Sequence, residues 1–160
     1  MLVVCDTSPL SALIDIKRAE LLRDIFKEVV IPVAVRDELL ARHDELPDWL
    51  DVRDDPPFPP TTLTNTKLGH GETAAISLAL ELHADIVLID ERRGRREAER
   101  LGLTVTGVLG VVLLAKRRGL VSKIAPLIDD LRQRARCWFD NDLVAEVLRT
   151  AGEEIHEDTE

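Results

Sequence analysis

The chain has 160 residues, 45% hydrophobic and 32% charged, which describes a folded α/β-sized domain rather than a disordered chain. Its formal net charge of −9 argues against broad electrostatic capture of nucleic acid, but it does not exclude a nuclease whose own site is built from carboxylates. With three Phe, two Trp and no Tyr the core must be aliphatic, and Cys5 and Cys137, far apart and outside any C-x-x-C pair, read as reduced thiols of a cytoplasmic protein. No apolar run reaches membrane-spanning length, and no secretory leader precedes the first strand, so neither a membrane nor export is expected.

The chain opens with an apolar strand, Leu2–Cys5, that stops at Asp6. Ser8 stands where a helix N-cap belongs and Pro9 at a first helical position, so a helix is expected over Pro9–Ile16. A second helix is expected over Arg18–Phe26, a β-branched strand over Glu28–Ile31, and a helix over Val33–Arg42 with Glu38 among apolar neighbours. Residues 44–68 lack periodicity and are rich in Pro and Thr, the pattern of a surface loop or an active-site edge. Apolar periodicity resumes in a buried helix over Thr73–Leu82, with Glu72 at its first turn, and a second apolar strand, Ile86–Ile89, ends at Asp90 as the first ended at Asp6. An exposed arginine-rich helix over Gly94–Leu101, a strand over Leu103–Thr106, and helices over Val108–Arg118 and Ser122–Ala135 follow. A short extended piece over Cys137–Phe139 and a helix over Asp142–Ala151 complete the pattern. Strands alternating with helices predict an α/β sandwich in three layers, a mostly parallel central sheet flanked by helices, as one domain over residues 1–150 with an acidic, flexible tail over 151–160.

Four carboxylates stand where packing does not ask for one: Asp6, Glu38, Glu72 and Asp90. Each has an ordinary structural use by itself, as a turn residue, a cap or a helix-dipole partner. Together they suggest more. If the two apolar strands are neighbours, about 4.8 Å apart, Asp6 and Asp90 share one rim, and like charges so close call for a cation. An oxygen-only donor set selects Mg²⁺ or Mn²⁺. Other acid-rich architectures fit less well. A phosphoacceptor domain would place adjacent acids after the first strand. A D-x-D phosphatase would not continue Asp6 with Thr7 and Ser8. H-x-E at His70–Glu72 lacks the P-C-x-x-C partner of zinc deaminases.

The pieces VVCDTSPL, VIPVAVRDEL, LGHGETAAISLALEL, ADIVLIDERRGRREAERLGL and VTGVLGVVLLAK, in that order, resemble the PIN-like nuclease fold over nearly the whole chain, in particular the DUF3368 branch related to VapC-type toxins. The resemblance implies metal-dependent hydrolysis of RNA without a covalent enzyme intermediate, with Asp6, Glu38, Glu72 and Asp90 as the acidic cluster. Mg²⁺ or Mn²⁺ would be held by Asp6 and Asp90, with Glu72 and Glu91 as further candidate ligands, Thr7 or Ser8 as the supporting hydroxyl, and Arg92, Arg93 and Arg96 on the RNA backbone. Glu72 stands where many members have Asp, and Glu91 is followed by Arg92 and Arg93 where many have a further acid. A small antitoxin as partner and a homodimer are implied in the same way. The competing expectation is a PIN-like protein-binding or regulatory module with weak or no nuclease activity.

Overall fold

The computed structural model describes residues 1–57, 63 and 67–153. Among them the strands are β1 (Leu2–Cys5), β2 (Glu28–Pro32), β3 (Asp51–Arg53), β4 (Ile86–Leu88) and β5 (Val105–Thr106). The helices are α1 (Thr7–Asp15), α2 (Glu20–Phe26), α3 (Val33–Leu40), α4 (His70–Glu81), α5 (Arg92–Arg100), α6 (Val108–Arg117), α7 (Ala125–Gln133) and α8 (Asn141–Thr150). All strands pair in parallel in the order β3-β2-β1-β4-β5. Val3, Val4 and Cys5 of the central strand are wholly buried, as a strand covered by helices on both faces requires. Helix α4 packs on β1, β2 and β4 and against α3, while α1 and α2 pack on α6. No described helix is long and apolar enough to cross a membrane.

This order has a consequence for function. From β1 the chain steps to β2 and β3 on one side, then returns to β4 and β5 on the other. The order therefore reverses between β1 and β4, and in parallel sheets the crevice at the carboxyl ends of such strands is where ligands bind. Cys5 pairs with Leu88, and the Asp6 N–H donates to the Leu88 carbonyl at 2.9 Å. Asp6 and the acids after β4 thus leave the sheet at that crevice.

Several boundaries differ from the sequence expectations. Helix α1 begins at Thr7, with Asp6 at the N-cap position in extended conformation (φ −79°, ψ 168°), so Ser8 is not the cap. Ser8 lies exposed in the first turn, and Pro9 is tolerated at the third helical position because no first-turn N–H has an intrahelical partner. Helices α4 and α5 start earlier than periodicity suggested, at His70 and Arg92, because the polar first turns carry no apolar signal. Strand β3 was not foreseen. All three of its residues are exposed at the sheet edge, so its apolar pattern is missing, and an Asp51–Arg53 ion pair of 2.8 Å braces it. The segment over Cys137–Phe139 is irregular loop rather than extended strand. Glu153, counted in the acidic tail, is pinned: its carboxylate accepts from the N–H groups of Ile124 (2.9 Å) and Ala125 (3.0 Å) and from Lys116 Nζ (2.8 Å). The rest of that tail, 154–160, and residues 58–62 and 64–66 of the Pro/Thr-rich loop lie outside the described residues, so those expectations stand untouched. Cys5 and Cys137 are free thiols.

Candidate active site

Asp6 is one of three buried polar side chains among the described residues and the only charged one, 4% exposed at the mouth of the crevice. Burial pushes its carboxyl up to about 7, helped by the negative charges of Glu72, Glu38 and Glu91 and opposed by the Thr7 N–H. Those three acids come from α3, from the first turn of α4 and from the turn after β4. The tertiary fold therefore gathers one carboxylate from each of four chain segments.

Glu38 is tied in from two sides. The Thr7 hydroxyl donates to its Oε2, and the Gly71 N–H donates to its Oε1 at 3.1 Å. A Cβ on Gly71 would stand 2.6 Å from both oxygens, so a side chain there would push the Glu38 carboxylate out of this position. Thr7 thus supports a carboxylate, whereas Ser8 faces a neighbouring cleft.

Glu72 occupies the third position of α4, and its Oε1 accepts from the Gly69 N–H at 3.3 Å, half of a capping box. Its Oε2 is buried without a hydrogen-bond partner. Burial and the charge of Glu91, together with a carboxyl–carboxyl contact between the two, raise its pKa, and Gly69 works against them. Asp90 behaves differently. Its Oδ1 accepts from the Val108 N–H at 3.0 Å at the start of α6, with the Arg95 guanidinium alongside. Desolvation raises its pKa while Val108 and Arg95 lower it. Asp90 and Glu91 are consecutive in the turn after β4, yet they meet different surroundings. Asp90 serves the α6 terminus, and Glu91 joins the charges around Asp6. Glu91, a further candidate ligand on sequence grounds, is among the charges that bear on both Asp6 and Glu72.

Arg92, Arg93 and Arg96 lie exposed on α5, which turns only Gly94 and Ala98 inward. They make no hydrogen bond or ion pair with a described residue, while Glu97 pairs with Arg100 (3.1 Å from Nε) rather than with them. His70, 80% exposed, sits 3.8 Å from Asp55 and takes no part in the cluster.

Among the described residues no group of three or more His, Cys, Asp or Glu side chains is placed to hold a metal ion, and Thr7, Gly69 and Gly71 take up oxygens of Glu38 and Glu72. The donor chemistry nonetheless suits a hard divalent cation. It consists of oxygens alone, it concentrates negative charge that burial penalises, and it leaves the Glu72 Oε2 without a hydrogen-bond partner, a demand that a bound cation would meet.

Among solved structures the chain is similar to a PilT N-terminus domain protein from the hyperthermophilic archaeon Sulfolobus solfataricus P2, at 20% identity and a TM-score of 0.49, over 69% of this chain and 90% of that one. No curated protein matches. The model of the PIN-domain family DUF3368 matches residues 2–153. That span takes in the whole parallel sheet and every carboxylate at its switch point, and the chain accordingly belongs to the PIN-domain family DUF3368.

Proposed function

We infer that the protein is a metal-dependent endoribonuclease that hydrolyses RNA phosphodiester bonds in the cytoplasm. The observation that carries the reading is Asp6, a carboxylate 4% exposed whose burial raises its pKa, with the charges of three acids from other segments adding to that rise. Such an arrangement is costly to the fold and is repaid at a functional site. PIN domains are typically metal-dependent nucleases, which agrees with that chemistry.

Asp6, Glu72 and Glu91 would hold Mg²⁺ or Mn²⁺. Bound there, a divalent cation supplies charge neutralisation at the scissile phosphate and acidifies attacking water. The chain's own residues do the rest. Glu38, fixed by Thr7 and Gly71, presents its carboxylate to orient a nucleophile and take a proton. Asp90 holds the start of α6 against the rim and stands beside the cluster as a further acid. Arg92, Arg93 and Arg96 contact the RNA backbone. The family resemblance extends the reading to the toxin of a type II toxin–antitoxin pair, restrained by a small antitoxin and working as a homodimer.

Incubation with a mixed RNA pool in Mg²⁺ tests the reading. Cleavage should vanish in EDTA and in Asp6→Asn. Cleavage that survives both would rule out this site. Mn²⁺ binding by the native chain without any cleavage would replace the enzyme with a PIN-like binding module.

A further inference from the structure

The cleft beside Asp90 differs in chemistry from the acidic cluster. It encloses about 610 Å³ between Ser8, Asp90, Arg92, Arg95, Trp138 and Phe139. Trp138 is 84% exposed, and Leu143 on the same cleft is 46% exposed. An indole standing in water contributes little to the fold, yet its backbone is braced. Before it, the Cys137 N–H donates to the Leu131 carbonyl at 2.9 Å. After it, Arg132 Nη2 donates to the Phe139 carbonyl (3.4 Å) and to Asn141 Oδ1 (3.1 Å). The ring is held out on a fixed turn.

The charges in the cleft are unequal in their freedom. Asp90 is committed to the Val108 N–H, and Asp140 caps α8 by accepting from the N–H groups of Asp142 (2.8 Å) and Leu143 (3.3 Å). Arg92 has no ion pair or hydrogen bond with a described residue. An exposed aromatic ring and an uncommitted guanidinium lining one cleft match a nucleotide, the base on the ring and the phosphate on the cation. Asp90 is the shared wall: one residue further, Glu91 belongs to the acidic cluster, so one strand can lie in both places. A base can cover the indole only when it is unpaired and splayed from its neighbours, which selects single-stranded RNA.

We propose that this cleft is a nucleotide subsite for single-stranded RNA, in which Trp138 stacks on a base next to the scissile phosphate and Arg92 and Arg95 hold the adjoining backbone. It deepens the nuclease reading and rests on it only in taking RNA as the strand. Because every base has a π-face, the subsite accepts unpaired nucleotides with little regard to sequence.

The test uses the full chain and a mixed-sequence ten-nucleotide single-stranded RNA, in EDTA and again in Ca²⁺, so that binding is read without turnover. The sequence has two Trp, so in Trp49→Phe the emission comes from Trp138 alone, and RNA should quench it. By anisotropy of the labelled RNA, Trp138→Leu should bind roughly tenfold more weakly or worse, Trp138→Phe should recover most of the loss, and the duplex should bind less tightly than the strand. The exposed position lets Trp138→Leu melt with the native chain, which circular dichroism checks. Unchanged affinity in Trp138→Leu without quenching overturns the proposal and leaves the cleft to a protein partner; absence of RNA binding in both buffers overturns it too. The two readings fail separately. A native chain that binds and quenches but cuts nothing in Mg²⁺ loses the nuclease reading and keeps the subsite. Cleavage by Trp138→Leu at unchanged KM does the reverse.

Discussion

The carboxylate of Glu72, on α4, fills the space that a Cβ on Gly94 of α5 would take. The same hypothetical Cβ would lie 3.1 Å from Ile89 Cγ2, so the neighbour beneath cannot give way freely. The absence of a side chain at Gly94 is what lets α5 seat over Glu72 Oε2, a buried carboxylate oxygen with no hydrogen-bond partner among the described residues.

Gly94→Ala therefore sets two effects against each other. In a helix interior alanine is favoured over glycine by about 1 kcal/mol, and in the first turn, where Gly94 sits, by less. Here the added methyl displaces Glu72, at an overpacking cost of about 1–3 kcal/mol. The expected outcome is a melting temperature unchanged or a few degrees lower, with Mn²⁺ affinity reduced roughly tenfold as the carboxylate moves. Thermal melts and titration calorimetry separate the two. A higher melting temperature with native Mn²⁺ affinity would show that the contact constrains nothing.

Asp6 makes stability depend on pH in a defined direction. Its pKa rises from an ordinary 3.8 to about 7 on folding, so the folded chain holds this proton more tightly than the unfolded one. From this group stability is fully present below about 3.8 and is lost as pH rises through about 7. Above that, the buried charge costs on the order of 4 kcal/mol. Asp6→Asn should melt several degrees above the native chain at pH 8 without metal, and the gap should shrink at pH 5. Mn²⁺ should raise the melting temperature of the native chain and leave Asp6→Asn nearly unmoved.

The consecutive acids after β4 should separate cleanly. Glu91→Gln removes a charge that bears on both Asp6 and Glu72, and Mn²⁺ affinity should fall by at least tenfold. Asp90→Asn keeps an oxygen for the Val108 N–H, so metal affinity should change by only a few fold. Calorimetry on both variants decides it, and equal losses would place Asp90 among the ligands after all.

Glu153 fastens the end of the chain to the start of α7. Burial opposes its ionisation, but the Ile124 N–H, Lys116 and the Ala125 N–H outweigh that and hold its pKa below the ordinary carboxylate value. Stability from this group is present above about 4.5 and is lost as pH falls through the lower folded value. Glu153→Ala should lower stability by about 1–3 kcal/mol at pH 7, several degrees in melting temperature, without touching RNA cleavage. A melt at pH 7 and a second near pH 3, where the native chain approaches the variant, check both halves.

What the amino-acid order determined by itself was whatever depends on near neighbours in the chain. The buried strand ending at Asp6, the helix that presents Glu38, the first-turn acid Glu72 and the second apolar strand at Ile86 are local patterns of period 2 or 3.6, and they were enough for the α/β class and for three of the clustered acids. Local pattern failed where another segment supplied the partner. Ser8 has the chemistry of a cap, but α1 begins two residues before the expected Pro9, at Thr7, and Asp6 takes the cap position. Strand β3 exists because β2 offers it an edge, not because it is apolar. The surroundings of Asp90 and Glu91 are likewise a tertiary matter: the Asp90 Oδ1 accepts from the Val108 N–H at the start of α6, while the charge of Glu91 bears on Asp6 and Glu72. Only the tertiary structure decides this, because the donor that meets Asp90 lies eighteen residues further along the chain.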